Sequence, residues 1–233
     1  MRVLTERRCA SDSSDTLLVL LPPALASVDD YYVQGFVKAW RERAVPVDLQ
    51  LADLGGQQVL NKTAVADLQV QVVEPALAQG YRSIWLAGIS LGAYSALLYA
   101  AAHAPSLQQH LTGLYLMSPY PGTNDILAEI RTAGSLAEWS QLHPSREDER
   151  AWWHWLRASG KARRPGPAVY FGAGRADRFY RGQSLIAEAL APACVQWVEG
   201  GHDWPTWKSL WDTWLECGPL AQGVRGAPPT IAG

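Results

Sequence analysis

The sequence predicts an α/β fold, a mostly parallel sheet covered by helices, on three observations. Short apolar runs recur along the chain, most are followed by a longer segment of helical spacing or helix-forming composition, and one run ends in a glycine-flanked turn opening a long apolar helix. Hydrophobic residues make up 48% of the 233 residues and charged residues 18%, a balance that excludes a disordered chain and supports a well-buried core. A single domain over residues 1–233 is expected.

The first clear strand is 16–21, Thr-Leu-Leu-Val-Leu-Leu. Residues 29–43 predict a helix with Tyr32, Phe36, Val37 and Trp40 on one face, and 45–51 the next strand. Residues 63–79 set Val65, Leu68, Val72 and Leu77 at near-helical spacing, with a kink expected at Pro75 and a stop at Gly80. A strand at 82–87 runs into Gly88-Ile89-Ser90-Leu91-Gly92. Residues 90–102, rich in Ala and Leu and almost free of charge, predict a helix buried against the sheet and closed by Pro105. After a strand at 113–117, residues 121–167 carry only helical pieces, near 125–132, 136–141 and 146–158. The sheet resumes at 168–171, a helix follows at 182–190, the last strand is 195–198 and the last helix 206–216. The Gly/Pro-rich stretch 222–233 is expected to be a loose tail.

Twenty basic and twenty-two acidic side chains leave a net charge of −2, so no overall field draws the chain to nucleic acid or an anionic membrane. The run Lys161-Ala162-Arg163-Arg164 precedes Pro165-Gly166-Pro167 and reads as a solvated loop. No apolar stretch approaches the ~20 residues of a membrane-spanning helix. Arg2, Arg7 and Arg8 before the run Leu17-Leu18-Val19-Leu20-Leu21 imitate a signal peptide, but Asp12 and Asp15 intervene and Pro22-Pro23 ends the run. Cys9, Cys194 and Cys217 have no metal-ligand spacing, and their odd count leaves at least one unpaired within a monomer. The expectation is a cytoplasmic protein without a metal site, kept in a reducing compartment.

A hydroxyl becomes a useful nucleophile when a base takes its proton and a sharp turn holds it clear of the backbone between small neighbours. Gly88 and Gly92 are such neighbours for Ser90, and the preceding strand and following helix supply the strand-turn-helix setting. The alternative is a glycine-rich turn whose serine only caps a helix.

With this turn the chain resembles the α/β-hydrolase family, whose members carry a nucleophile elbow after a central strand and then an acid and a histidine in that order. The resemblance spans about residues 17–215, although its specific motifs are three short segments. It implies the α/β-hydrolase fold with Ser90 as nucleophile. Asp177, in the loop Ala173-Gly174-Arg175-Ala176-Asp177 after a strand, matches the family's acid. His202, in Gly200-Gly201-His202-Asp203-Trp204 after the last strand, matches its base, and Asp203 reads as a helix cap. The oxyanion hole needs two N–H donors. Leu91, after the nucleophile, offers one. The other is expected from Ala24, because Pro22 and Pro23 have no N–H. Many relatives have His-Gly where this chain has Pro22-Pro23, so the sequence departs from the pattern here. A fold-keeping protein that only holds a ligand in the pocket is the reading this departure favours.

The resemblance implies a carboxylesterase-like serine hydrolase that cleaves an ester of a small to medium acyl substrate through an acyl-enzyme with no cofactor, and a thioesterase or acyltransferase on the same residues is the alternative. Ester, thioester, lactone and amide bonds all fit, as does transfer of the acyl group to an alcohol. In this family the stretch 121–167 often forms a cap. Of the eleven tryptophans, Trp139, Trp152, Trp153 and Trp155 lie there. Trp139 and Trp153 are candidate walls of an apolar acyl pocket, and packing of cap to core is the other use for such rings. Trp204, Trp207, Trp211 and Trp214 follow helical spacing and read as the packing face of the last helix.

Overall fold

Seven strands, each ended by a turn or loop that starts the next helix or crossover, form the sheet in the computed structural model, which describes residues 1–8, 14–103, 109–139, 149–159 and 166–222. In chain order the elements begin with β1 (Val3–Glu6), β2 (Thr16–Leu21), α1 (Val28–Val33), α2 (Phe36–Arg43) and β3 (Asp48–Ala52). Next come α3 (Gly56–Leu60), α4 (Ala64–Leu68), α5 (Glu74–Ala78), β4 (Ser83–Ile89), α6 (Leu91–His103) and β5 (Leu111–Met117). The chain continues with α7 (Asn124–Thr132), α8 (Glu149–Ser159), β6 (Ala168–Gly174), α9 (Tyr180–Glu188), β7 (Val195–Val198) and α10 (Trp204–Cys217). The strand order is β1-β3-β2-β4-β5-β6-β7, and only β1 runs antiparallel. A parallel sheet hides both faces under helices, so its strands read as apolar runs, and β2 is buried at every residue.

Two cores follow. On one face α4, α5, α6, α8 and α9 cover the sheet around Leu86, Leu97, Leu116 and Trp152. On the other, α1, α2 and α10 pack on Trp85, Tyr115 and Leu51, and the Trp211 indole N–H donates to the Phe36 carbonyl at 3.0 Å, fastening α10 to α2. Trp207, Trp211 and Trp214 are buried as the packing face of α10. No helix among the described residues is long and apolar enough to cross a membrane.

The expected helix over 29–43 is two helices. Gly35, at φ 75°, takes a left-handed conformation open to glycine at little cost and breaks the chain between α1 and α2. The break shifts the helical phase. Tyr31, not Tyr32, shares the buried face with Phe36, Val37 and Trp40, while Tyr32 donates to Glu6 at 2.7 Å near the surface. The kink expected at Pro75 is a π-helical turn, Gln69–Val73, joining α4 to α5. The Glu74 N–H reaches back to Gln69, an i→i−5 bond that widens the helix where the proline ring would crowd the preceding turn.

Strand β3 starts three residues later than expected. Val45 and Val47 are buried without joining the ladder, and Asp48 opens the strand by accepting the Tyr81 hydroxyl at 2.6 Å. Between β5 and β6 the described residues hold α7 and α8 and no strand, and α8 packs on α6 through Trp152 against Tyr94. The piece expected at 136–141 begins as a single turn, Trp139 N–H to Ser135 at 3.0 Å, and its end lies outside the described residues. Outside them too lie 146–148, the run Lys161–Arg164, Cys9, Pro105 and the tail 223–233.

Candidate active site

The register of the sheet brings the C-terminal ends of β4, β5, β6 and β7 side by side, with Ile89 beside Met117, Met117 beside Gly172, and Gly174 beside Val198. Every expected catalytic side chain hangs from this edge.

Ser90 follows β4 at φ 51°, a left-handed conformation that costs a non-glycine residue about 1–2 kcal/mol. Three backbone bonds hold it there. The Ser90 N–H donates to Met117 at 2.9 Å, and the Ser90 carbonyl accepts the N–H groups of Tyr94 at 3.0 Å and Tyr120 at 3.1 Å. A Cβ at Gly88 would strike the backbone of Gly92 and Ala93, and one at Gly92 would strike the carbonyls of Leu21 and Pro22. The two glycines are therefore demanded by close backbone approach, one within the elbow and one between the elbow and the loop after β2.

The loops that carry Asp177 and His202 are joined by backbone bonds beside the point where their side chains meet. Arg175 N–H donates to Val198 and Ala176 N–H to Gly200, both at 2.9 Å. His202 Nδ1 then lies 2.8 Å from Asp177 Oδ2, and His202 Nε2 lies 2.9 Å from Ser90 Oγ. With Nδ1 protonated, the imidazole donates to the carboxylate and accepts the serine hydroxyl. Burial pushes the Asp177 carboxyl up, but the His202 hydrogen bond, the Phe179 N–H at 2.8 Å, the electrostatic attraction of the imidazole and the Gln183 amide outweigh it and hold the group below the ordinary carboxylate value. Gln183 is fully buried and anchored by its own bond to the Pro119 carbonyl at 3.2 Å.

Two rings clasp the imidazole edge-on. Phe179 and Trp207 stand perpendicular to it, at centroid distances of 5.0 and 5.1 Å. From Phe179 the rings continue to Tyr120 at 5.4 Å and on to Tyr94 at 5.6 Å. Asp203 caps α10 as expected, accepting the Thr206 N–H. The sequence carries no local signal for Phe179 or Gln183 as neighbours of this site, and the spacing that marks Trp207 for packing does not reveal its contact with His202.

On the other side of Ser90, the Leu91 N–H opens α6, and the loop after β2 lies against Gly92. Among the described residues neither the Leu91 nor the Ala24 N–H is taken by a backbone acceptor outside regular elements. The loop makes a turn in which Ala26 N–H donates to Pro23 at 3.3 Å, with Leu25 at φ 64° and its side chain fully exposed.

The expectation for Trp139 and Trp153 is corrected. They are 3% and 0% exposed, lying in the core on the α6 face, Trp153 stacked on Trp152 at 4.2 Å and Trp139 on His154 at 4.4 Å. Neither presents surface to a substrate, because large rings in short helices gain more from mutual packing. The other described histidines also lie elsewhere, His103 against Tyr99, His154 against Trp139 and His110 beside the Arg82 carbonyl. Among the described residues no three His, Cys, Asp or Glu side chains are grouped as metal ligands. Among the described residues Cys194 and Cys217 form no disulfide.

No family model matches the chain, and no curated protein matches it in sequence. Solved structures match its shape. Est1E from Butyrivibrio proteoclasticus is 14% identical with a TM-score of 0.61, covering 92% of this chain and 93% of its own. A ferulic acid esterase is 18% identical with a TM-score of 0.60, covering 97% and 98%. FphF, a fluorophosphonate-binding serine hydrolase of Staphylococcus aureus, is 14% identical with a TM-score of 0.59, covering 89% and 86%. With its parallel sheet, its strained serine turn after β4 and these likenesses, the chain has the α/β-hydrolase fold.

Proposed function

We propose that the chain is a serine carboxylesterase acting on small to medium acyl substrates. The observation that carries this reading is the unbroken hydrogen-bonded series Ser90 Oγ, His202, Asp177, at 2.9 and 2.8 Å. His202 Nε2 takes the hydroxyl proton as Ser90 Oγ attacks the ester carbonyl, and Asp177 holds the imidazole in its Nδ1-protonated form and stabilises its charge. The carbonyl oxygen, now an oxyanion, receives hydrogen bonds from the Leu91 and Ala24 N–H groups. As the carbon–oxygen bond to the leaving alcohol breaks, His202 returns the proton to that oxygen. Water, activated by His202, then hydrolyses the acyl-enzyme and frees Ser90. The esterases and serine hydrolases among the structures of similar shape support the reading. Two free cysteines favour a reducing cytosol as its place.

The test is hydrolysis of p-nitrophenyl acetate, butyrate and octanoate by wild type and Ser90→Ala, both checked for folding. Turnover by wild type alone assigns the nucleophile, and the chain-length preference describes the pocket. Equal inactivity of both, with Ser90 unlabelled by a fluorophosphonate, overturns the proposal.

A further inference from the structure

The loop expected to supply the second oxyanion donor has few means of holding itself. Pro22 and Pro23 lack N–H groups, and its one internal backbone bond, Ala26 to Pro23, is a long 3.3 Å. Its entry is fixed from outside. The Tyr31 hydroxyl, fully buried, donates to the Leu21 carbonyl at 2.6 Å. Leu21 pairs in register with Gly88 and presses its carbonyl toward Gly92, so this bond lies beside the nucleophile elbow.

Tyr31 also touches the other half of the site. Its ring meets Trp204 edge-on at 5.9 Å, Trp204 meets Trp207 at 5.2 Å, and Trp207 flanks His202. The helix that carries Tyr31 is pinned at its start by a capping box between Ser27 and Asp30. Burial first, and the Asp30 charge second, keep the phenol protonated and therefore a donor.

We propose that Tyr31 is a positioning residue for the oxyanion hole. By fixing the Leu21 carbonyl it sets the direction in which Pro22-Pro23, which lack N–H groups of their own to anchor the loop, deliver the Ala24 N–H. The inference rests on the esterase reading.

The test compares wild type, Tyr31→Phe, and the chain with 4-aminophenylalanine at position 31, which restores an N–H donor at the same place. Tyr32→Phe, altering a neighbouring surface phenol, is the control. Rates are expressed per serine titrated by fluorophosphonate, so unfolded protein does not count. If Tyr31→Phe is unstable, the assays run in trimethylamine N-oxide, which favours the folded chain. Since losing an oxyanion donor outright costs about 10²–10³ in kcat, a displaced one is expected to cost about 10- to 100-fold at unchanged KM. Affinity for phenylboronic acid, which forms a tetrahedral adduct on serine, should fall in parallel, with recovery in the amino variant and no change in Tyr32→Phe. A kcat in Tyr31→Phe equal to wild type, or a fall that leaves boronate affinity unaltered, overturns the positioning role and leaves the esterase reading standing. Wild type without turnover and without serine labelling overturns both.

Discussion

Asp203 and Thr206 close the turn that follows the base, with Asp203 Oδ1 accepting the Thr206 N–H at 3.0 Å and the Thr206 hydroxyl at 2.6 Å. The acid next to His202 thus caps helix α10 and takes no part in the hydrogen bonds among Ser90, His202 and Asp177. Asp203→Ala removes an N-cap and is expected to cost about 1 kcal/mol of stability. Urea unfolding measures this. A loss of activity at full stability, of the size caused by altering Asp177, would instead place Asp203 in the relay.

Asp177→Asn keeps the shape of the acid but favours the wrong imidazole tautomer. The expected fall in kcat is about 10³–10⁴-fold at neutral pH, with KM little changed. Steady-state kinetics on p-nitrophenyl butyrate checks it, and a fall of less than tenfold would remove Asp177 from its role.

The same carboxylate links pH to stability. Held below its ordinary value, Asp177 stays ionised in the native state where the unfolded chain already binds a proton. Its stabilising contribution is complete above an unfolded pKa of about 3.9 and is lost as pH falls through the lower native value. Denaturant unfolding of wild type and Asp177→Asn should therefore differ most above the ordinary carboxylate range and converge as pH falls through the lowered native value. A constant difference across that range would contradict the assignment.

Leu25 occupies a left-handed turn position at φ 64° with an exposed side chain. Glycine there relieves about 1–2 kcal/mol of steric cost while adding about 0.5–1 kcal/mol of unfolded-state entropy. Leu25→Gly should stabilise the chain by about 0.5 kcal/mol, read as a rise in the urea midpoint. A drop exceeding 1 kcal/mol would mean that the leucine side chain has structural work.

The fold was legible wherever one segment carried its own signal. Strands β2 and β7 are buried or half-buried apolar runs and lie where their composition puts them. That Ser90, Asp177 and His202 meet is legible from a turn that needs small residues at fixed offsets and from two loops that each follow a strand in the order the resemblance implies. Phase was lost at Gly35, where one left-handed residue turned Tyr31 inward and Tyr32 outward. The edge strand β1, four residues with a charged end and little burial, has no pattern of its own and exists through its pairing with β3. Phe179, Trp207 and Tyr31 owe their places at the site to contacts between distant segments, which no local spacing records. The indoles of Trp139 and Trp153 misled because a ring that lines a pocket and a ring that fills a core look alike in a string.

The bond between the Trp211 indole and the Phe36 carbonyl joins residues 175 apart, and His202 reaches Ser90 across 112. Strand β4 and helix α6, which flank Ser90, are neighbours in sequence, whereas His202 arrives only when α10 docks on α2. Recovery of activity after dilution from denaturant should then lag the return of helical signal, and its rate should follow the docking of α10. On the proposed reading, catalytic competence would then report the closure of a long-range contact rather than the formation of any single element.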